Sequence, residues 1–260
     1  MYIQSNRGVS LAKWLALSIV YLLGLLVSFF LEETLSWQDF SFYMYIFLGW
    51  GVFFHLYFNK KVHFKFIPRF VVSPALLMLT SIACIGYIGF CNAVSNLEIS
   101  PQIQLLDTFT VRTDNIFQVF GSVILIAFLE EFIFRGMVLP TLMKQYHAGI
   151  ALVLSAILYT AIHLEGQHIL ELSLFGLISG SLYIALKDLC MCIYFHLLRN
   201  VILAICSVKG ISMPIIYGTN YQEIIGILLI SLIMLVFSIL VIYSLGNKLY
   251  DRRRVDFAIR

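Results

Sequence analysis

Charge is scarce in this sequence. Asp, Glu, Lys and Arg make up 12% of its 260 residues, 61% are hydrophobic and mean hydropathy is +0.94, whereas soluble domains carry about a quarter charged residues. That shortage excludes a water-soluble globular domain and assigns the chain to a bilayer. Low-complexity stretches and internal repeats are also lacking, and proline and glycine are scattered, so nothing marks a linker or a second domain. Residues 1–260 therefore read as a single polytopic membrane domain. The five cysteines (Cys84, Cys91, Cys190, Cys192, Cys206) are odd in number and fall mostly in apolar runs, which excludes a disulfide framework and suits small core residues. Cys190 and Cys192 lie near the inner surface, where palmitoylation or a metal could use them, but a CxC spacing alone carries neither. No HExxH zinc signature is present.

What the sequence does have is long apolar runs. A spanning helix needs roughly 20 mainly apolar residues, and reading for such runs between clusters of charge gives about eight, near residues 12–31, 41–58, 70–92, 116–139, 149–164, 169–186, 189–206 and 223–245. The first run follows Arg7 and Lys13 but is too long for a signal peptide and lacks a small-x-small cleavage site, so it reads as a retained anchor. The fold class is thus all-α, an integral membrane helix bundle of the cell membrane.

Cytoplasmic loops collect Lys and Arg. With the N-terminus inside, the inner segments hold 13 of the 17 basic residues, among them Lys60, Lys61, Lys65, Arg69, Lys144, Lys187, Lys248 and Arg252 to Arg254. The outer segments keep only Arg112 and Lys209, but nine acidic residues, including Glu32, Glu33, Glu165, Glu171 and Glu223. Both termini are predicted cytoplasmic. The net charge of +3 calls for no nucleic-acid partner, because orientation and contact with anionic headgroups of membrane lipids account for it.

Once loop charges are set aside, four charged residues remain within predicted spans: Glu130, Glu131, Arg135 and Arg199. Each costs about 2.5 to 3.5 kcal/mol at a helix centre, so each is a candidate for function. In the string FLEEFIFRGMVLP, Glu131 and Arg135 are i,i+4 neighbours in the favourable acid-before-base order and can pair. Glu130 lies about 100° around the helix, leaving it without a dedicated partner on its own helix. The other reading of the three is a buried ion cluster that ties helices together, although two acids for one base make an inefficient strut.

Further polar residues share that layer. His163 ends the string AILYTAIH, with Tyr159 four residues earlier on the same face, and a single His in a span also serves as a helix-to-helix hydrogen bonder. His196 and Asn200 in HLLRN are stacked at i,i+4, where an imidazole and a carboxamide can both donate to one oxygen. Arg199 points elsewhere, toward snorkelling at the inner headgroups or a salt bridge. At about 1.5 Å per residue from the inner ends, Glu130 lies roughly 15 Å deep, His163 roughly 20 Å and His196 roughly 10 Å. Acids, Arg, His and Asn in one layer of three helices suit water activation with oxyanion stabilisation.

The strings EEFIFR, YTAIH and HLLRN resemble the EExxxR, FxxxH and HxxxN motifs of the CAAX protease and bacteriocin-processing (CPBP) family of intramembrane endopeptidases. The resemblance covers a core of about residues 118–206, with Tyr159 where the family usually has Phe. It implies a multi-helix protease whose chamber opens toward the cytoplasm and inner leaflet. Glu130 would then be the general base on water, and His163 would hold that water. His196 and Asn200 would stabilise the oxyanion, while Glu131 with Arg135 would shape the site or grip the peptide.

No cofactor is required by this reading. Zinc is compatible with it, with Glu130, His163 and His196 as three ligands, while His168 and Glu165 read as loop residues. The substrate would be a peptide or protein from the inner leaflet: a CAAX-like protein, or a bacteriocin or pheromone precursor. The competing reading is a non-catalytic membrane immunity or regulatory protein that binds a peptide or sensor kinase. A transporter would show broken helices and a polar path at the midplane, whereas the small-xxx-small stretch Gly176 to Gly180 is an ordinary packing face. A lipid-phosphate enzyme would want more Arg and Lys than Arg135 and Arg199.

Overall fold

Hydrocarbon offers backbone N–H and C=O groups no partners, so an apolar run must close its hydrogen bonds within itself as a helix. The computed structural model describes residues 73–96, 116–161, 169–208 and 220–258, and among these every regular element is helical. In chain order they are α1 (Pro74–Asn96), α2 (Ile116–Ile133), a π-helical turn (Phe134–Val138), α3 (Leu139–Leu142), α4 (Ala148–Ala161), α5 (Ile169–Leu186), α6 (Leu189–Val208) and α7 (Tyr221–Ala258). The expected runs at 12–31 and 41–58 lie outside the described residues.

Four of the described helical stretches are long and apolar enough to cross a membrane: Pro74–Asn96, Ile169–Leu186, Leu189–Cys206 and Tyr221–Gly246. The fourth expected span, which carries the acidic pair, is not one uniform helix. It runs through α2, widens into the π-turn and resumes as α3. The last helix exceeds its expected end at 245: at 38 residues it is about 57 Å long at 1.5 Å per residue. Hydrophobicity told only where the apolar part stops, and the polar continuation keeps helical hydrogen bonding.

The helices pack α1 on α7, α4 on α5 and α2 on α6, and α5 also touches α6 and α7. Small residues set the close approaches. Gly86 of α1 lies against the backbone of Ser231 and Leu235, and Gly89 against Ser231 again, so α1 and α7 run antiparallel. Gly176 faces Ala156 of α4, where an added Cβ would stand 3.0 Å from both Cα and Cβ, and Gly180 faces Leu152. The stretch from Gly176 to Gly180 is thus the packing face its spacing suggested. Tyr87, Phe175, Leu182, Phe195 and Leu203 fill the space between α1, α5 and α6.

The turns also share an end of the bundle. Lys187, between α5 and α6, reaches Met143 Sδ after α3 at 3.9 Å, and Gly246 of α7 packs against the Ala185 carbonyl. Lys144, Lys187 and the start of the basic end of α7 therefore gather at one end. All five cysteines are free, with Cys84, Cys91 and Cys192 buried.

Because Gly176 meets backbone rather than a flexible side-chain tip, Gly176→Val should destabilise the protein by about 1–3 kcal/mol through overpacking. Thermal unfolding of the detergent-solubilised protein measures this, and an unchanged midpoint would mean that α4 and α5 are not in contact there.

Candidate active site

The expected Glu131–Arg135 pair forms, with Arg135 Nη1 donating to Glu131 Oε1 at 2.9 Å and side chains only 1% and 0% exposed. Arg135 sits in the π-turn, where the Leu139 N–H reaches back five residues to the Phe134 carbonyl. Such turns occur as single insertions within α-helices, and this one directly precedes Pro140, which has no N–H to continue an α-helical ladder. Gly136 and Pro140 were the only signals of it in the sequence. Arg135 Nη2 donates to the Gly176 carbonyl at 3.3 Å, and its Cζ lies 4.8 Å from the Tyr159 ring centroid and 5.5 Å from that of Phe175. The guanidinium thus exchanges water for a carboxylate, a carbonyl and two aromatic faces.

Glu131 is fully engaged. Its Oε1 also meets His196 Nδ1 at 3.0 Å, and its Oε2 accepts the Ser179 hydroxyl at 2.7 Å. A carboxylate ionised against Arg135 can only accept hydrogen bonds, so Nδ1 is the nitrogen of His196 that carries a proton. The other nitrogen, Nε2, is turned to Glu130, 3.8 Å from its Oε2. Consequently His196 offers a lone pair there as a neutral ring and donates to an oxyanion only as an imidazolium. Glu130 Oε2 also accepts the Tyr159 hydroxyl at 2.9 Å. Four helices bring these groups together: α2 with its π-turn, α4, α5 through Ser179, and α6. The depth estimates, which placed Glu130 and His196 about 5 Å apart, are compatible with that meeting.

Asn200, one turn beyond His196 on α6, is fully buried. Its Oδ1 accepts from Arg199 Nη1 at 3.0 Å, while its Nδ2 makes no hydrogen bond. Arg199 does not snorkel. It is 6% exposed, and its Nη2 donates to Glu171 Oε1 at 2.6 Å. Glu171 corrects the assignment of that residue to the outer loops: it lies in the first turn of α5, is 3% exposed and also accepts the Tyr87 hydroxyl at 3.3 Å. Proximity to the expected loop at 165–168 hid it, since partners on α1 and α6 cannot be read from spacing along α5. Phe175 stands between the two ionic groups, with Arg135 and Arg199 both over its ring and its edge against His196 at 4.6 Å.

His163 lies outside the described residues, as do Glu165 and His168. Among the described residues no three His, Cys, Asp or Glu side chains form a group able to hold a metal ion. Of the three ligands of the expected zinc set, Glu130 and His196 lie together, and the third, His163, is outside the described residues.

Residues 112–202 match the family model of type II CAAX prenyl endopeptidase Rce1-like proteins. That segment, about a third of the chain, is similar to an Rce1-like domain. The family is a protease family, and the matched residues run from just before α2 into α6, taking in the acidic pair, Arg135, Tyr159, His196 and Asn200 and leaving α1 and α7 outside. No curated protein and no solved structure matches the chain. The four apolar helices, together with the similarity to Rce1-like proteins, support a membrane protein.

Removing either partner of the buried pair strands the other charge. Arg135→Ala or Glu131→Ala should each cost about 3–5 kcal/mol, seen as a fall in thermal midpoint, with the double variant losing less than the two single losses added. Additive losses would refute the pairing.

Proposed function

We propose that this chain is a CAAX-type intramembrane endopeptidase in which Glu130 activates water to hydrolyse a peptide bond of a membrane-associated peptide or protein. One observation carries the reading: the two adjacent carboxylates are differently engaged. Glu131 is bound by Arg135, Ser179 and His196, whereas Glu130 accepts the Tyr159 hydroxyl and faces His196 Nε2 at 3.8 Å. That separation is long for a direct hydrogen bond and short enough for both atoms to contact one water molecule.

The chemistry then runs through the chain's own groups. The water oxygen attacks the carbonyl carbon while its proton passes to Glu130, and the carbonyl electron pair moves onto oxygen. Asn200 Nδ2–H and His196 Nε2–H, the latter in imidazolium form, meet that oxyanion in a site where fixed donors act strongly. Collapse of the tetrahedral intermediate breaks the C–N bond, and Glu130 returns its proton to the leaving amine. Glu131 fixes the His196 ring through Nδ1, the orienting role a carboxylate plays toward histidine in hydrolase triads. His163 is proposed to help hold the water, as the motif resemblance implies. No step is routed through zinc, and the chelator arm of the test below decides its part.

The setting is proposed to be the cell membrane, with the chain as one multi-pass domain of about eight spans, a catalytic core over about 118–206 and both termini cytoplasmic. The gathering of Lys144, Lys187 and the basic end of α7 at one end of the bundle supports that orientation. The substrate would then enter from the inner leaflet. A prenylated CAAX peptide follows from the family's name, and a bacteriocin or pheromone precursor is the other candidate.

The test is cleavage by proteoliposomes of two quenched fluorogenic peptides, one ending in a farnesylated Cys-aliphatic-aliphatic-X sequence and one an unlipidated hydrophobic leader. Glu130→Ala should lower kcat about 10²- to 10⁴-fold, and His196→Ala or Asn200→Ala about 10²- to 10³-fold, with chelator leaving the wild-type rate unchanged. Undiminished cleavage by Glu130→Ala would sink the mechanism and favour the immunity or regulatory reading. Loss of activity on chelation, restored by zinc, would replace the metal-free version.

A further inference from the structure

An oxyanion needs the donor end of Asn200, yet a carboxamide is nearly symmetric in shape. Rotated by half a turn, it would present its carbonyl oxygen to the reacting centre and repel the developing charge. Neither the packing of an apolar chamber nor the motif spacing selects one end over the other. Arg199 does. Its guanidinium has donors and no acceptor, so the atom of Asn200 that faces Nη1 at 3.0 Å must be Oδ1. Nδ2 is thereby turned the other way, buried and without a hydrogen bond.

Arg199 is itself held at its other arm. Nη2 donates to Glu171 Oε1 at 2.6 Å, and the same oxygen accepts the Tyr87 hydroxyl at 3.3 Å. Three helices contribute: α1 through Tyr87, α5 through Glu171 and α6 through Arg199 and Asn200. Tyr87 and Asn200 are fully buried, Glu171 and Arg199 nearly so. A buried ion pair by itself is weak evidence for stabilisation, since hydrophobic replacements are often neutral or better. A strut would need only the Glu171–Arg199 contact, and the second arm on Asn200 is what a strut leaves unexplained.

We infer that Glu171 and Arg199 are positioning residues, a buried ion pair that locks the Asn200 carboxamide with its N–H donors toward the reacting carbonyl. The inference rests on the proposed role of Asn200 as oxyanion donor. Arg199 acts through its fork: one nitrogen neutralises Glu171 while the other grips Oδ1. Glu171 in turn keeps the guanidinium from swinging onto the carboxylates or the substrate.

Lysine keeps the charge that Glu171 requires but lacks the fork, so Arg199→Lys separates charge from orientation. With the full-length protein in proteoliposomes and the two peptides above, Arg199→Lys should lower kcat about 10- to 100-fold with KM within twofold. Glu171→Gln, which can still accept from Arg199, should lower kcat about 3- to 10-fold. In an Asn200→Ala background neither substitution should lower kcat further than about twofold, because the group they orient is gone. Thermal midpoints and monodispersity identify any variant that has not folded, and either substitution alone suffices for the cycle. Arg199→Lys and Glu171→Gln at the wild-type kcat, losses that multiply with that of Asn200→Ala, or a rise in KM at constant kcat would each overturn the positioning role. Failure of the wild type on both peptides, or cleavage by Glu130→Ala at the wild-type rate, overturns the peptidase reading and this inference with it. An inactive Glu130→Ala and impaired Asn200→Ala beside an unimpaired Arg199→Lys overturns the positioning role alone.

Discussion

Arg135 carries a positive charge into a helix that is otherwise apolar, and the bundle around it is arranged to meet that charge. Glu131, one turn back, neutralises it; the Gly176 carbonyl takes a second N–H; Tyr159 and Phe175 offer their ring faces. These partners come from α2, α4 and α5, so holding one guanidinium draws α4 and α5 around the π-turn. The short distance between Gly176 and Ala156 follows from the same demand, because only a small residue lets the α5 backbone approach closely enough to be an acceptor.

From that pair the properties of its neighbours follow. An ionised Glu131 accepts only, which puts the His196 proton on Nδ1 and aims Nε2 at Glu130. Glu130 is one residue from Glu131 and yet in a different environment, since about 100° of helix rotation turns it to Tyr159 and His196. Two adjacent acids thus acquire different roles by geometry alone. Removing charge from the first would disturb tautomer, ring orientation and charge balance at the second.

The second ionic group, Glu171 with Arg199, also meets the Phe175 ring and repeats the logic with different ends. In the first, a base is neutralised by an acid on its own helix and orients a histidine through that acid. In the second, a base is neutralised across helices and orients an asparagine directly. In one, His196 Nε2 is left facing Glu130; in the other, Asn200 Nδ2 is left without a hydrogen bond.

Scarcity of charge, apolar run lengths and the i,i+4 spacings were enough to predict the helices seen among the described residues, the Glu131–Arg135 pair and the approach of His196 to Glu130. These are local properties: the cost of burying charge and the pitch of a helix apply to any sequence segment by itself. What crosses between helices was not legible. Glu171 looked like a loop acid because its partners, Tyr87 and Arg199, are 84 and 28 residues away. Arg199 could equally have reached for headgroups, and the π-turn gave little sign beyond Gly136 and Pro140. Which nitrogen of His196 holds its proton and which end of the Asn200 amide faces inward are decided only where carboxylate and guanidinium meet them, since hydrogen-bond polarity is set by the partner and not by the residue.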